Sequence, residues 1–152
     1  MNVRPLTPDD ARRIATWRYD GPWRVYDSRP QDGLLTSAGG YFAVAGDDGE
    51  LVGFCCAGVE ARVPGLAEEP GSLDIGVGMA PALVGQGNGA VFGRAVLEHR
   101  GRRRLRAVVQ SWNERSLRLT RTLGFVPVGT HVCVQGGRPV EYTVTVLRPP
   151  AG

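Results

Sequence analysis

Residues 83–90 read LVGQGNGA, with Gly85, Gly87 and Gly89 placed in alternation just before an apolar, helix-like run. A glycine inside a helix costs about 1 kcal/mol relative to alanine. One glycine would serve a turn; three need a further reason. A tight strand-to-helix turn uses glycine for backbone angles closed to other residues. An anion cradle uses it so that a phosphate can approach the free N–H groups of a helix N-terminus. Gly85-Gln86-Gly87-Asn88-Gly89-Ala90 also fits G-x-G-x-x-A. That dinucleotide pattern belongs after the first strand of a βαβ unit, with an acid about 20 residues on. Here it follows roughly the fourth strand, and residues 108–110 are Val-Val-Gln, which speaks against a dinucleotide fold.

Working outward, residues 72–79 (SLDIGVGM) read as the strand that feeds the loop. Leu73, Ile75, Val77 and Met79 share one face, and Ser72, Asp74, Gly76 and Gly78 share the other. That second face is almost bare apart from the Asp74 carboxylate. Downstream, residues 88–100 read as a helix with Val91, Phe92, Ala95, Val96 and His99 on one stripe, and Gly101 ends it. Residues 104–109 are a strand. Ser111 with Glu114 three residues on predicts a capping box opening a helix that runs to Leu123. Residues 125–135 and 139–147 form a closing pair of strands around Gly136-Gly137. Upstream, residues 2–6 read as a strand, and Thr7-Pro8-Asp9-Asp10 opens a helix with cap, proline and acids in their favoured places. Residues 41–46 and 51–63 read as a hairpin. The order is β-α-β-β-β-α-β-α-β-β, a mixed α/β sheet in one domain spanning 1–152.

Composition narrows the chemistry. The chain has 152 residues, enough for a core without disulfides or metals. No apolar run reaches the roughly 18 residues of a membrane span, and the N-terminus lacks a signal peptide's apolar centre, so a cytoplasmic location is the expectation. All 18 basic residues are arginine. A Walker-type phosphate loop and lysine Schiff-base chemistry are therefore excluded. Cys55, Cys56 and Cys133 have neither metal-site nor disulfide spacing and read as reduced packing residues. The net charge of +3 permits an anionic ligand without demanding one. Arg100, Arg102, Arg103, Arg104 and Arg106 cluster before a strand; contact with an adenine 3′-phosphate or with nucleic acid is one reading, but no aromatics are interleaved, so they read rather as arginines that solvate a strand entry.

The chain resembles the GCN5-related N-acetyltransferase (GNAT) family over nearly its whole length. Gly85, Gly87 and Gly89 fit the family's R/Q-x-x-G-x-G/A motif. Asn113 opens the next helix, and the segment closes on Leu123-Gly124-Phe125, as the family's N…GF segment does. The resemblance implies a mostly antiparallel central sheet of about 6–7 strands flanked by about four helices. It implies acetyl-CoA as cosubstrate and no metal. The coenzyme would be held by Val77, Gly78 and Met79 on the strand, by Val84, Gly85, Gln86, Gly87, Asn88, Gly89 and Ala90 in the loop, and by Asn113 and Ser116 on the later helix. It implies acetyl transfer by direct attack of a small-molecule or peptide amine, in a monomer or homodimer that binds neither nucleic acid nor membrane. An acyl-CoA sensor of the same fold is the alternative.

Two positions depart from the family pattern. Val84 stands where Arg or Gln is usual, and Thr120 stands where a tyrosine commonly protonates the departing thiolate. A thiol pKa near 8.5 makes thiolate a tolerable leaving group. Thr120 is then expected to hydrogen-bond the sulfur, with Ser116, Tyr19, Tyr26 or water as other donors. A lysine-like amine arrives protonated at pH 7, so a base or a water chain must take its proton. Asp74 is the candidate, with a solvated or arginine-paired carboxylate as the other reading. A backbone N–H near Met79 would face the developing oxyanion, as the family implies. Trp17, Tyr19 and Tyr26 fall where the family builds its acceptor pocket, although Trp17 also reads as core.

Overall fold

The computed structural model describes residues 1–149. The elements are β1 (Asn2–Pro5), α1 (Pro8–Ile14), β2 (Tyr41–Ala45), β3 (Leu51–Ala57), β4 (Ser72–Met79), α2 (Gly89–Arg100), β5 (Arg104–Gln110), α3 (Glu114–Thr122), β6 (Val126–Gln135) and β7 (Arg138–Leu147). Short 3-10 helices lie at Gly21–Tyr26, Pro30–Leu34, Gly58–Ala61 and Pro81–Leu83. The strands form a seven-stranded sheet in the order β1-β2-β3-β4-β5-β7-β6. The β1–β2, β2–β3, β5–β7 and β6–β7 pairs are antiparallel, and β4–β5 is parallel. This is the mixed sheet that the element order predicts, mostly antiparallel as the family resemblance implies. The chain divides into two compact units.

The first unit holds Met1–Cys56 and Val77–His99. Its helix α1 starts as the sequence dictates. Thr7 caps it, and Asp10 completes the capping box. Asp10 is buried but satisfied, accepting from Nη1 and Nη2 of Arg4 and from the Thr7 N–H. The apolar face of α1 (Ala11, Ile14) packs with Leu6, Trp17, Ala43 and Leu51. A second cluster joins Val44, Val52 and Cys55 to Phe92 and Val96 of α2. The predicted stripe of α2 holds for Phe92, Ala95 and Val96, which are buried, while Val91 is about half exposed.

The second unit holds Ala57–Gly76 and the described residues from Arg100. The first half of β4 runs beside β5 from Ser72↔Arg104 to Ile75↔Ala107. Leu105, Leu117, Phe125, Tyr142 and Val146 are buried here, and the buried Thr145 donates its hydroxyl to the Ala107 carbonyl. Two local expectations change. The strand expected over 51–63 ends at Ala57, and the chain turns into the 3-10 helix at Gly58–Ala61, where Gly58 has φ 75°. The cap of α3 is Asn113, whose side chain accepts from the Ser116 N–H. Ser111 is drawn into the sheet instead. Its N–H bonds the Glu141 carbonyl and its hydroxyl pairs with Thr143.

Candidate active site

The strand end and loop of the first unit come first. After Met79 the chain makes the 3-10 turn Pro81–Leu83, closed by Leu83 N–H to Ala80 O (2.9 Å) and Val84 N–H to Pro81 O (3.3 Å). Gly85 and Gly87 then have φ of 75° and 81°. This left-handed backbone strains a residue bearing Cβ. Asn88 does two jobs. Its side-chain amide donates to the Leu83 carbonyl, folding the loop back, and its own carbonyl accepts the first helical bond of α2, from Phe92 N–H. Gly89 is the first residue of α2. Among the described residues, the N–H groups of 85–91 donate to no acceptor in the chain. A row of donors at the positive end of a 12-residue helix suits an anion. Gly85, Gln86 and Gly87 are exposed, and Val84, Asn88, Gly89 and Ala90 are partly exposed, so the row is accessible.

The strand end differs from the bare face read from the sequence. A Cβ on Gly78 would collide with the ring of Phe54. Gly78 is small because an aromatic ring lies against it, so that face is covered rather than open. Trp17 stacks on the same Phe54 ring (centroids 6.1 Å apart) and is itself buried, which makes it a support of this wall. Tyr19 reaches further: its hydroxyl donates to the Met79 carbonyl at 2.6 Å. Its own N–H is held by Asp27 Oδ1 at 2.7 Å, and Ser28 N–H to Trp17 O closes the loop that carries it. Burial, and then the Asp27 carboxylate, push the Tyr19 phenol up to about 12, so it remains a donor at neutral pH. Tyr26 is 39% exposed and Val77 is 48% exposed.

The remaining candidates lie in the second unit. Asp74 is 3% exposed and fully engaged. Arg106 reaches it with Nε at 2.5 Å from Oδ1 and with a terminal nitrogen at 3.1 Å from Oδ2, and Arg62 Nε lies 2.9 Å from Oδ2. Burial pushes this carboxyl up, but the two arginines outweigh it and hold it below the usual carboxylate range. Arg106 also donates to the Ala67 carbonyl, and Arg104 pairs with Glu69 and Ser72. These contacts account for two arginines of the 100–106 cluster. A carboxylate bound this way is a weak proton acceptor. Thr120 is buried at 9% exposure, and its hydroxyl donates to the Leu117 carbonyl within α3. Its one proton is therefore committed. Asn113 is buried at the cap of α3, and its side-chain amide donates to the Ser116 hydroxyl.

Arg62, Asp27 and Phe54 shape the candidate sites without standing out in the sequence, and Arg106 stood out only as one of a cluster of arginines read as solvated, whereas it is buried against Asp74. The Asp74↔Arg106 register was the accessible clue. It needs only that the strands at 72–79 and 104–110 lie side by side and parallel. Among the described residues no group of three or more His, Cys, Asp or Glu could hold a metal ion, and no helix is long and apolar enough to cross a membrane.

A sheet of this order, interrupted by a glycine loop that opens a helix with unsatisfied N–H groups, has the architecture of an N-acyltransferase. Comparison supports that class. The profile of the acetyltransferase (GNAT) family matches residues 9–125. A GNAT-family acetyltransferase from Bacillus anthracis superimposes with a TM-score of 0.74 at 16% identity, covering 96% of this chain and 93% of that one. A chimera of the Vibrio cholerae spermidine N-acetyltransferase SpeG with hSSAT gives a TM-score of 0.72 at 18% identity, covering 97% and 95%. The Salmonella typhimurium protein yncA, solved with its cofactor acetyl-CoA, gives 0.54 at 25% identity, covering 71% and 63%. No curated protein matches the sequence. The chain belongs to the GNAT acetyltransferase family.

Proposed function

We propose that residues 1–152 act as one acetyltransferase domain that moves the acetyl group of acetyl-CoA to a primary amine. The observation that carries this is the row of uncommitted N–H donors at 85–91, in a chain of this family. Their geometry suits a pyrophosphate: exposed glycines allow close approach, and the α2 dipole favours the charge. Val84 adds no positive charge, so the backbone carries the binding. Bound acetyl-CoA supplies the thioester, whose carbonyl carbon bonds to the amine nitrogen as the C–S bond breaks. The acceptor is a small-molecule or peptide amine. The spermidine acetyltransferases among the structural relatives act on such an amine.

Residue roles follow from what each group still has to give. The Met79 N–H serves the carbonyl oxygen as charge develops there. Asp74, clamped by Arg106 and Arg62, is assigned to the scaffold, and the amine's proton passes to water. Thr120 is assigned to helix packing. The thiolate, a tolerable leaving group, takes its proton from water or from Ser116. Tyr26 is assigned as the exposed aromatic of the acceptor wall, and the buried Trp17 is assigned to the core.

A second reading, an acyl-CoA sensor with little turnover, is favoured by the commitment of Asp74 and Thr120 to other partners. One experiment separates the two. Protein is mixed with acetyl-CoA and an amine panel that includes spermidine and peptides, and free thiol is followed. Amine-dependent thiol release supports the transferase. Tight binding with no release across the panel supports the sensor. No binding of either CoA or acetyl-CoA overturns both.

A further inference from the structure

Within β4 each residue sends its own N–H and C=O to the same edge of the strand, and successive residues alternate. Ala80 N–H donates to Val52 O of β3 at 2.8 Å. Met79 therefore presents both its N–H and its C=O to the opposite edge. The ladder between β4 and β5 ends at Ile75, so Met79 has no ladder partner on that edge among the described residues. An exposed peptide edge offers a donor and an acceptor side by side. A thioester oxygen approaching the Met79 N–H would meet the negative end of the Met79 C=O a few ångströms away.

The Tyr19 hydroxyl removes that conflict by donating to the Met79 C=O. The peptide beyond Met79 is then held from both sides, by Tyr19 at its oxygen and by Val52 at its nitrogen. The tyrosine is itself fixed. Asp27 holds its backbone, and Trp17, two residues earlier, stacks on the Phe54 ring that covers Gly78. Two independent contacts thus register the 17–28 loop to the last residues of β4.

We propose that Tyr19 is a positioning residue for the acyl carbonyl: by capping the Met79 C=O it leaves the Met79 N–H as the only open polar group of that residue and aims it at the thioester oxygen. This rests on the coenzyme reading above and deepens it. It also gives Tyr19 a role distinct from acid or acceptor contact, because its proton is already committed to Met79.

The test reads the acyl group without needing an acceptor. CoA and acetyl-CoA affinities are measured by calorimetry for wild type and Tyr19→Phe, and the 13C shift of acetyl-CoA labelled at the carbonyl is recorded bound to each. Wild type should favour acetyl-CoA by about threefold to tenfold, the worth of one hydrogen bond. Its carbonyl resonance should move downfield on binding. Tyr19→Phe should bind CoA as wild type does, lose the preference for acetyl-CoA, and lose most of the shift. A preference and shift that survive in Tyr19→Phe overturn the proposal. So does an equal loss of both ligands, which would make Tyr19 general scaffold, and so does a wild type that binds both ligands alike. Failure of wild type to bind CoA at all would instead strike the coenzyme reading, and this inference with it.

Discussion

Asp74 shows how far the worth of one side chain depends on its neighbours. As a lone carboxylate on a glycine-flanked strand it has the profile of a base. With Arg106 and Arg62 within hydrogen-bond distance it has the profile of a structural anion. The two readings predict different failures. Asp74→Asn removes the charge that balances two guanidinium groups, one of them buried to 6% exposure. Breaking a buried pair of this kind costs about 3 kcal/mol. Urea unfolding of Asp74→Asn should show that loss, whereas a base would show a fall in kcat with an unchanged midpoint. Thr120 follows the same logic. It is buried, so Thr120→Tyr must force a ring into packed space, and overpacking of this kind costs about 1–3 kcal/mol. The expected outcome is a lower melting temperature with no gain in thiol release; a large rate gain would restore the missing-acid reading.

Among the elements, the 83–90 loop and the Thr7 cap of α1 were the most legible, and the cap of α3 and the end of β3 the least. Here the glycines before an apolar stripe mark a strand–loop–helix junction, because Gly85 and Gly87 take φ of 75° and 81°, a region glycine enters without strain. Gly87 offers a direct test. An added Cβ there meets nothing within 4 Å, so the penalty of Gly87→Ala is backbone strain alone. Left-handed backbone costs an L-residue roughly 1–2 kcal/mol. The variant should weaken CoA binding about tenfold by calorimetry, or lose an equal amount of stability if the loop keeps its shape. The cap of α3 was misread because the capping-box pattern is purely local. Ser111 matches it, yet the β7 strand claims Ser111 through Glu141 and Thr143, and the helix then starts from Asn113. The end of β3 was misread for a related reason. Gly58 permits a turn that periodicity does not register. Nor could Gly78 be understood from its own strand, since the ring that excludes a side chain there comes from Phe54.

At the scale of the molecule, the order of elements was legible because each strand and helix carries its own period and its own punctuation. The ion pairs were not, because they join residues on different elements. Those pairs set the acid behaviour. In the first unit, burial pushes the Asp10 carboxyl up, and Arg4 and Thr7 outweigh it and hold it at about 2. In the second, Asp74 is likewise held low. Both groups bind protons more weakly folded than unfolded, where an aspartate titrates near 3.9. The stabilisation each gives is thus fully present above about pH 4 and is lost as pH falls below that, for Asp10 toward about 2. Circular dichroism followed from pH 6 downward should show a plateau to about pH 4 and then a steep fall in the unfolding midpoint; a stability independent of pH below 4 would contradict the ion pairs.

The bond between Tyr19 and Met79 also has a history in time. It joins groups 60 residues apart in sequence. A contact of such span can form only after the intervening chain has been gathered in, and closing a long segment is entropically slow. The β2–β3 hairpin, by contrast, closes over a handful of residues from Gly46 to Glu50. The loop bearing Tyr19 should therefore order last, after the strands it leans on. Pulse-labelled hydrogen exchange during refolding should find the Tyr19 amide, which Asp27 holds only once the loop is ordered, protected later than that of Val44. A nascent chain, or one transiently opened, would then hold its sheet before it can orient an acyl group.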